Sequence, residues 1–267
     1  MLLDIEDLTL RVPSTEILRG ISLQVGVGET VGLVGESGSG KSTTARAALK
    51  LFPDDATTTG SVTVCGSDIL SAGPAEVQRI RANEAAMIFQ APRTALNPVR
   101  RIGDSATERL VHVHGVAKKV ARSKIVELFA EVGLKDPERL LKLYPHQLSG
   151  GMLQRVVIAS ALSINPQLLL ADEATSALDV TTQAEVLALL RRLRAQRELG
   201  VLFITHDLHL AAAYCDRVYV MRDGVIVDEQ PGATIFENPA NEYTRALADA
   251  VPRLPDREPD RELEVQP

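Results

Sequence analysis

Leu3, Ile5, Leu8 and Leu10 alternate with polar residues, and Ile21, Leu23 and Val25 do the same. A period of two predicts two half-buried strands. Val31-Gly32-Leu33-Val34 is a short unbroken apolar run ending in glycine-rich sequence, as a strand buried on both faces does. Lys41 to Leu51 reads as the helix that follows it. Ser61 to Val64 and Ala86 to Phe89 are further strand candidates. From Gln90 to Ser149 the period changes: Val120, Leu128, Phe129 and Val132 recur at helical spacing. Strands and helices then alternate, with strands at Gln167–Ala171 and Val201–Thr205 and helices at Thr181–Glu198 and Leu208–Cys215. Such alternation predicts a mainly parallel sheet covered by helices. The expected fold is an α/β core with an early antiparallel β region and a helical insert near residues 91–160, together spanning 1–252. Residues 253–267 are dense in Asp, Glu and Arg and carry three prolines, which predicts a disordered tail.

The glycine-rich stretch changes the picture most. Gly35-Glu36-Ser37-Gly38-Ser39-Gly40-Lys41-Ser42 satisfies G-x-x-x-x-G-K-[ST] at every fixed position, between a strand and a helix. Glycines let backbone N–H groups curl round phosphates, Lys41 reaches the β- and γ-phosphates, and the Ser42 hydroxyl suits Mg²⁺. The helix start adds the positive end of its dipole. Leu168-Leu169-Leu170-Ala171-Asp172-Glu173 is an apolar strand ending in two acids. Asp172 completes the Mg²⁺ site that Ser42 begins, and Glu173 is a candidate base for an attacking water. A solvated strand end is the plain alternative for two such acids, and the phosphate loop weighs against it.

Leu148-Ser149-Gly150-Gly151-Met152-Leu153-Gln154-Arg155 opens an amphipathic helix. Ser149 fits an ordinary N-cap. Two consecutive glycines weaken a helix start unless backbone must approach something closely. The chain therefore carries two phosphate-type sites, only one of them with Mg²⁺ ligands. The second is expected to serve a nucleotide held by another copy or a partner, which makes a dimer with ATP at its interface.

The set Gly35–Thr43, Gln90, Leu148–Arg155, Asp172–Glu173, Ser176-Ala177-Leu178-Asp179 and Thr205-His206-Asp207, in that order, resembles the ATP-binding subunits of ABC transporters over about residues 3 to 252. The resemblance implies that Gln90 senses Mg²⁺ and the transmembrane partner. It also implies that Asp179 crosses a dimer interface, that His206 contacts the γ-phosphate, and that Ser149, Gly150, Gly151 and Gln154 act on the partner's ATP. Ile88 to Pro98, Tyr144-Pro145-His146-Gln147 and Asn241 to Leu247 look like the branch importing oligopeptides, dipeptides and nickel. The partners it implies are permease subunits, a second ATP-binding subunit and, indirectly, a solute-binding protein. Its place would be peripheral, at the cytoplasmic face of the membrane.

Composition bears on the rivals. A net charge of −6 argues against a nucleic-acid partner, and a soluble relative acting on DNA or ribosomes is the main alternative. Coiled-coil insertions or a second fused ATPase domain, common in such relatives, are not seen. The N-terminus carries acids where a signal peptide needs bases, and no run approaches the ~18 apolar residues of a membrane span. Cys65 and Cys215 form no C-x-x-C pair and read as packing residues. The resemblance sets this sequence apart from longer peptide-importer subunits with a cysteine-containing C-terminal extension, so no iron–sulfur cluster is expected. His112 and His114 read as a solvated pair. Such subunits usually stack adenine on an aromatic residue near the first strand. None occurs before Phe52, so Val12 or a neighbour is expected to offer an apolar platform instead.

Overall fold

The computed structural model describes residues 1–249 except 177 and 238, and for residues 93 and 94 the backbone only. Two sheets make up the scaffold. The first is antiparallel, ordered β2-β1-β4-β5, from β1 (Leu3–Val12), β2 (Thr15–Val25), β4 (Thr57–Val64) and β5 (Ser67–Asp68). The step of three between Ile5 and Leu8 is a bulge: the pairing register with both neighbours shifts there, and Asp7 adopts φ +46°. It keeps Leu3, Ile5, Leu8 and Leu10 all inward.

The second sheet is ordered β10-β9-β3-β8-β7-β6. It comprises β3 (Thr30–Val34), β6 (Ala85–Ile88), β7 (Leu168–Asp172), β8 (Gly200–Thr205), β9 (Arg217–Arg222) and β10 (Val225–Pro231). All pairs are parallel except β9 with β10. The sheet is buried on both faces, as parallel sheets are. Leu169, Ala171, Val201 and Phe203 face the core shared with the helical block. Leu168, Leu170, Leu202 and Ile204 face the core shared with the antiparallel sheet and α1 (Lys41–Ala47).

Helix α2 (Pro74–Asn83) precedes β6. Between β6 and β7 the described elements are all helical: α3 (Pro92–Ala95), α4 (Ile102–Glu108) running into a π-helical turn at Arg109–Val113, α5 (Lys118–Glu131), α6 (Pro137–Leu140) and α7 (Gly150–Leu162). Helix α8 (Val180–Arg197) leads into β8, α9 (Leu208–Tyr214) into β9, and α10 (Glu242–Asp249) follows β10.

Three expectations need correction. Helix α1 stops at Ala47, well short of Leu51. Lys50 takes φ +52°, and the bonds Leu51 N–H to Arg46 O and Lys50 N–H to Ala47 O close the helix as a Schellman end. The Lys50 ammonium then bonds Leu70 O and Ala72 O. Val120 does not belong to the buried stripe of α5: it is 60% exposed, and Ala121, Ile125, Leu128 and Phe129 form that face. Third, the hairpin β9–β10 and helices α2 and α10 were not anticipated from the residue pattern. The expected disordered tail at 253–267 and the motif residue Ala177 lie outside the described residues. No described helix is long and apolar enough to cross a membrane.

Candidate active site

The phosphate loop leaves the top of β3 and ends at the first turn of α1. Gly40 caps that helix at φ +110°, and a Cβ there would stand 2.7 Å from Met221 Cε and 2.9 Å from Leu18 Cδ2. Only glycine meets both conditions. Glu36, Ser37 and Gly38 form an exposed rim, whereas Ser39 and Lys41 are buried. The Lys41 ammonium donates to Gly35 O at 2.8 Å, Glu36 O at 2.7 Å and Ser39 Oγ at 3.4 Å. Burial lowers its pKa from the ordinary lysine value, against the opposing pull of Glu173, Asp172 and Glu36. Thr43 lies two residues into α1 and is half-buried.

Strand β7 delivers the acids. Asp172 is 1% exposed and accepts a hydrogen bond from Ser42 Oγ at 2.8 Å. Burial raises its pKa, and the Ser42 bond offsets part of that rise. The chain then turns sharply: Glu173 takes φ +48° while its N–H still bonds Ile204 O at 3.0 Å. A left-handed non-glycine residue costs about 1–2 kcal/mol, held here by the strand beside it. The turn directs the carboxylate to two neighbours. Gln90 Nε2 donates to Glu173 Oε2 at 2.6 Å, and His206 Nδ1 lies 3.6 Å from Glu173 Oε1. His206 is held by its flanks, since Asp207 N–H bonds Thr205 Oγ1 and Asp207 Oδ1 caps α9 through Leu210 N–H. Lys41, Ser42, Asp172, Glu173, Gln90 and His206 thus form one continuous group.

A second group forms where α7 and α8 start side by side. Ser149 is exposed and caps α7, its Oγ accepting from Met152 N–H at 3.3 Å. Asp179 is exposed and caps α8, accepting from Thr182 N–H at 3.0 Å and Thr182 Oγ1 at 2.7 Å. Those two bonds hold its pKa below the usual carboxylate value. Gly151 has an internal reason: a Cβ there would sit 2.5 Å from Thr182 Cγ2. Gly150 has none, its nearest neighbour being Leu178 Cδ2 at 3.8 Å. Gln154 departs from the expected set. It is 1% exposed on the inner face of α7, with its Nε2 unpaired, and is not presented to a partner.

Two residues at the loop were not picked out from the sequence as site residues. Arg222 at the end of β9 and Tyr243 on α10 stand against Glu36, Ser37, Gly38 and Ser39. The Asp223-Gly224 pair was the available signal for the hairpin that brings Arg222 there. His112 and His114 are exposed, and His114 Nε2 lies 3.1 Å from Ala82 O. Val12 is half-buried at the tip of β1, opposite Thr15.

A glycine loop with a buried lysine, followed across the sheet by a strand ending in two acids, defines a P-loop nucleoside triphosphatase. The family model described as "ABC transporter" matches residues 18–176, and the chain belongs to that family. It is 41% identical over 259 residues to the oligopeptide transport ATP-binding protein OppD of Bacillus subtilis (strain 168), covering 95% of this chain and 72% of the relative. It is 41% identical to the probable D,D-dipeptide transport ATP-binding protein DdpD of Escherichia coli (strain K12), covering 94% and 78%. Among solved structures, the ATP-binding cassette MJ0796, a dimer in a post-hydrolysis state bound to ADP and Pi, superposes with TM-score 0.75 at 27% identity, covering 86% of this chain and 98% of that one. The chain is an ABC ATPase of the oligopeptide and dipeptide branch.

Proposed function

We propose that this chain hydrolyses ATP between its own phosphate loop and the Ser149 edge of a second cassette, and that the closing and opening of this pair drives import of peptides through permease subunits. The observation that carries the reading is the continuous group from Lys41 to His206. It puts a phosphate-binding cation, hard oxygen donors and a carboxylate base together: Lys41 feels the charges of Glu173 and Asp172, Ser42 bonds Asp172, and Gln90 bonds Glu173. The relatives' names favour peptide over nickel as the cargo class. The solute-binding protein and the cytoplasmic face follow from an importer of that kind.

The residues fit Mg²⁺. Asp172 and Ser42 offer oxygen donors side by side, and burial penalises the Asp172 carboxylate until a cation meets it. Gln90, whose Nε2 bonds the neighbouring Glu173, carries an amide oxygen that would serve as a further donor. When bound there, the ion would screen phosphate charge.

The chain's own groups supply the rest. Lys41 exchanges the Gly35 and Glu36 carbonyls for phosphate oxygens when nucleotide binds. Glu173 takes the proton of the attacking water once Gln90 releases its Oε2. His206 contacts the γ-phosphate, and the imidazole already lies beside Glu173. Ser149, Gly150 and Gly151 face the nucleotide of the opposite cassette, and Asp179 approaches the same boundary. The helices between β6 and β7 form the subdomain that meets the permease. ATP binding shifts the pair towards its closed form because the closed form binds it better.

Glu173→Gln in the assembled complex tests the assignment. ATP binding should persist while turnover falls about 10²–10⁴-fold, the usual loss for a positioned base. Turnover within about threefold of the parent would refute the role of Glu173.

A further inference from the structure

The rim of the phosphate loop is its least supported part. Gly35 is enclosed, and Ser39 is tied to the neighbouring hairpin by the bond from Gly224 N–H to Ser39 O at 3.0 Å. Glu36, Ser37 and Gly38 between them are exposed. On the outer side of this rim stand Arg222 and Tyr243, across a cleft of about 100 Å³. The guanidinium carbon of Arg222 lies 4.8 Å from the centre of the Tyr243 ring. That is within cation–π range and holds both side chains against each other. The Tyr243 hydroxyl is shielded from water and lacks a well-formed hydrogen bond, and its polar neighbour is Glu36. Burial raises the phenol's pKa, and the ring held by Arg222 is what lines the loop's outer side.

Glu36 is also one of the two backbone carbonyls that hold the Lys41 ammonium. Tyr243 therefore meets the loop at the residue whose inner side Lys41 must release. We propose that Tyr243, braced by Arg222, is a positioning residue for nucleotide binding: it holds the Glu36 segment from outside, so that helix α10 sets the affinity of the phosphate loop. The inference rests on the loop being the nucleotide site. Without the brace, the rim must be ordered at the expense of binding free energy, which lowers affinity and leaves the hydrolytic groups in place.

Tyr243→Ala, Tyr243→Phe and Arg222→Ala would be compared with the parent chain by titration with a fluorescent ADP analogue. The same variants would be assayed for KM and kcat in the assembled complex. Tyr243→Ala should weaken binding by about fivefold or more and raise KM in step, with kcat within about twofold of the parent. Tyr243→Phe keeps the ring and the Arg222 contact and should recover most of the affinity. Arg222→Ala should fall between. Unchanged affinity in Tyr243→Ala, or a loss of kcat at constant KM, overturns the proposal. Equal loss in Tyr243→Phe and Tyr243→Ala would overturn the ring brace. If the parent chain fails to bind the analogue and Lys41→Ala behaves identically, the fault lies with the nucleotide site itself.

Discussion

The two glycines that open α7 should respond differently to the same substitution. In Gly151→Ala the new methyl would lie 2.5 Å from Thr182 Cγ2, about an ångström inside normal carbon–carbon contact. Thr182 cannot simply rotate away, because its hydroxyl donates to Asp179 Oδ2 at 2.7 Å and Asp179 caps α8. Overpacking of this kind costs about 1–3 kcal/mol. In Gly150→Ala the methyl would meet only Leu178 Cδ2, at an ordinary 3.8 Å. Both substitutions gain helix propensity of up to about 1 kcal/mol, so the difference between them isolates the clash. For a chain of this length each kcal/mol moves Tm by roughly 2–4 °C, which puts Gly151→Ala about 2–12 °C below Gly150→Ala.

Thermal melting of the two variants gives the comparison, and Thr182→Ser supplies the control. Serine keeps the hydroxyl that Asp179 accepts and removes the offending methyl. The double variant Gly151→Ala, Thr182→Ser should therefore recover most of the lost Tm. Activity should order differently: Gly150→Ala melts at or slightly above the parent yet loses hydrolysis in the assembled complex, because its methyl stands on the face offered to the opposite nucleotide. Equal melting of Gly150→Ala and Gly151→Ala, or no recovery on removing the Thr182 methyl, would refute the packing argument.

Ser149→Arg should cost the isolated chain about 1 kcal/mol through the lost cap while sparing its ATP binding, and should abolish hydrolysis in the complex. Loss of binding in the isolated chain would contradict the two-cassette arrangement. Chelation of Mg²⁺ should weaken ATP binding to the isolated chain by about tenfold or more, since Asp172 and Glu173 outnumber Lys41 in the site. Equal affinity in excess chelator would dismiss the Ser42–Asp172 ion site. Cys65 has its pKa raised to about 11, chiefly by burial and then by Glu84, so it should alkylate at pH 8 about 10- to 100-fold more slowly than a free thiol. Because the folded-state value is the higher one, the matching stability term is intact below about pH 8.5 and is lost as pH rises towards 11.

Periodicity was most legible where one physical signal dominated. The loop and its strand could be read because Val31–Val34, the glycines and Lys41 each demand one conformation. The bulge in β1 went unread: the step of three from Ile5 to Leu8 was taken as plain alternation. The helix α1 was overextended because Lys50, a good helix former, occupies the left-handed position usually given to glycine. Val120 was misplaced because apolar identity does not say which face a residue takes, and Gln154 because a motif position does not report burial. The hairpin β9–β10 carried a clear Asp223-Gly224 signal. Helix α10 is short, yet Tyr243, Thr244, Leu247 and Ala248 turn inward at helical spacing, so its pattern was present in the sequence and was passed over. Its contact with Glu36 is a long-range fact of packing that no local window contains.

The proposed pairing with a second cassette, the same chain or a sister chain, also accounts for the arrangement of the site residues. Lys41 is held by loop carbonyls, Ser42 by Asp172, and Glu173 lies against Gln90 and His206. Ser149 and Asp179 satisfy their own helix caps, yet both lie on the surface, and Gly150 presents bare backbone beside them. A helix start with an exposed hydroxyl and an uncovered glycine is complementary to phosphate and to little in its own chain. The strained turn at Glu173 and the open start of α7 are each incomplete alone, and a nucleotide bound between two cassettes meets both requirements at once.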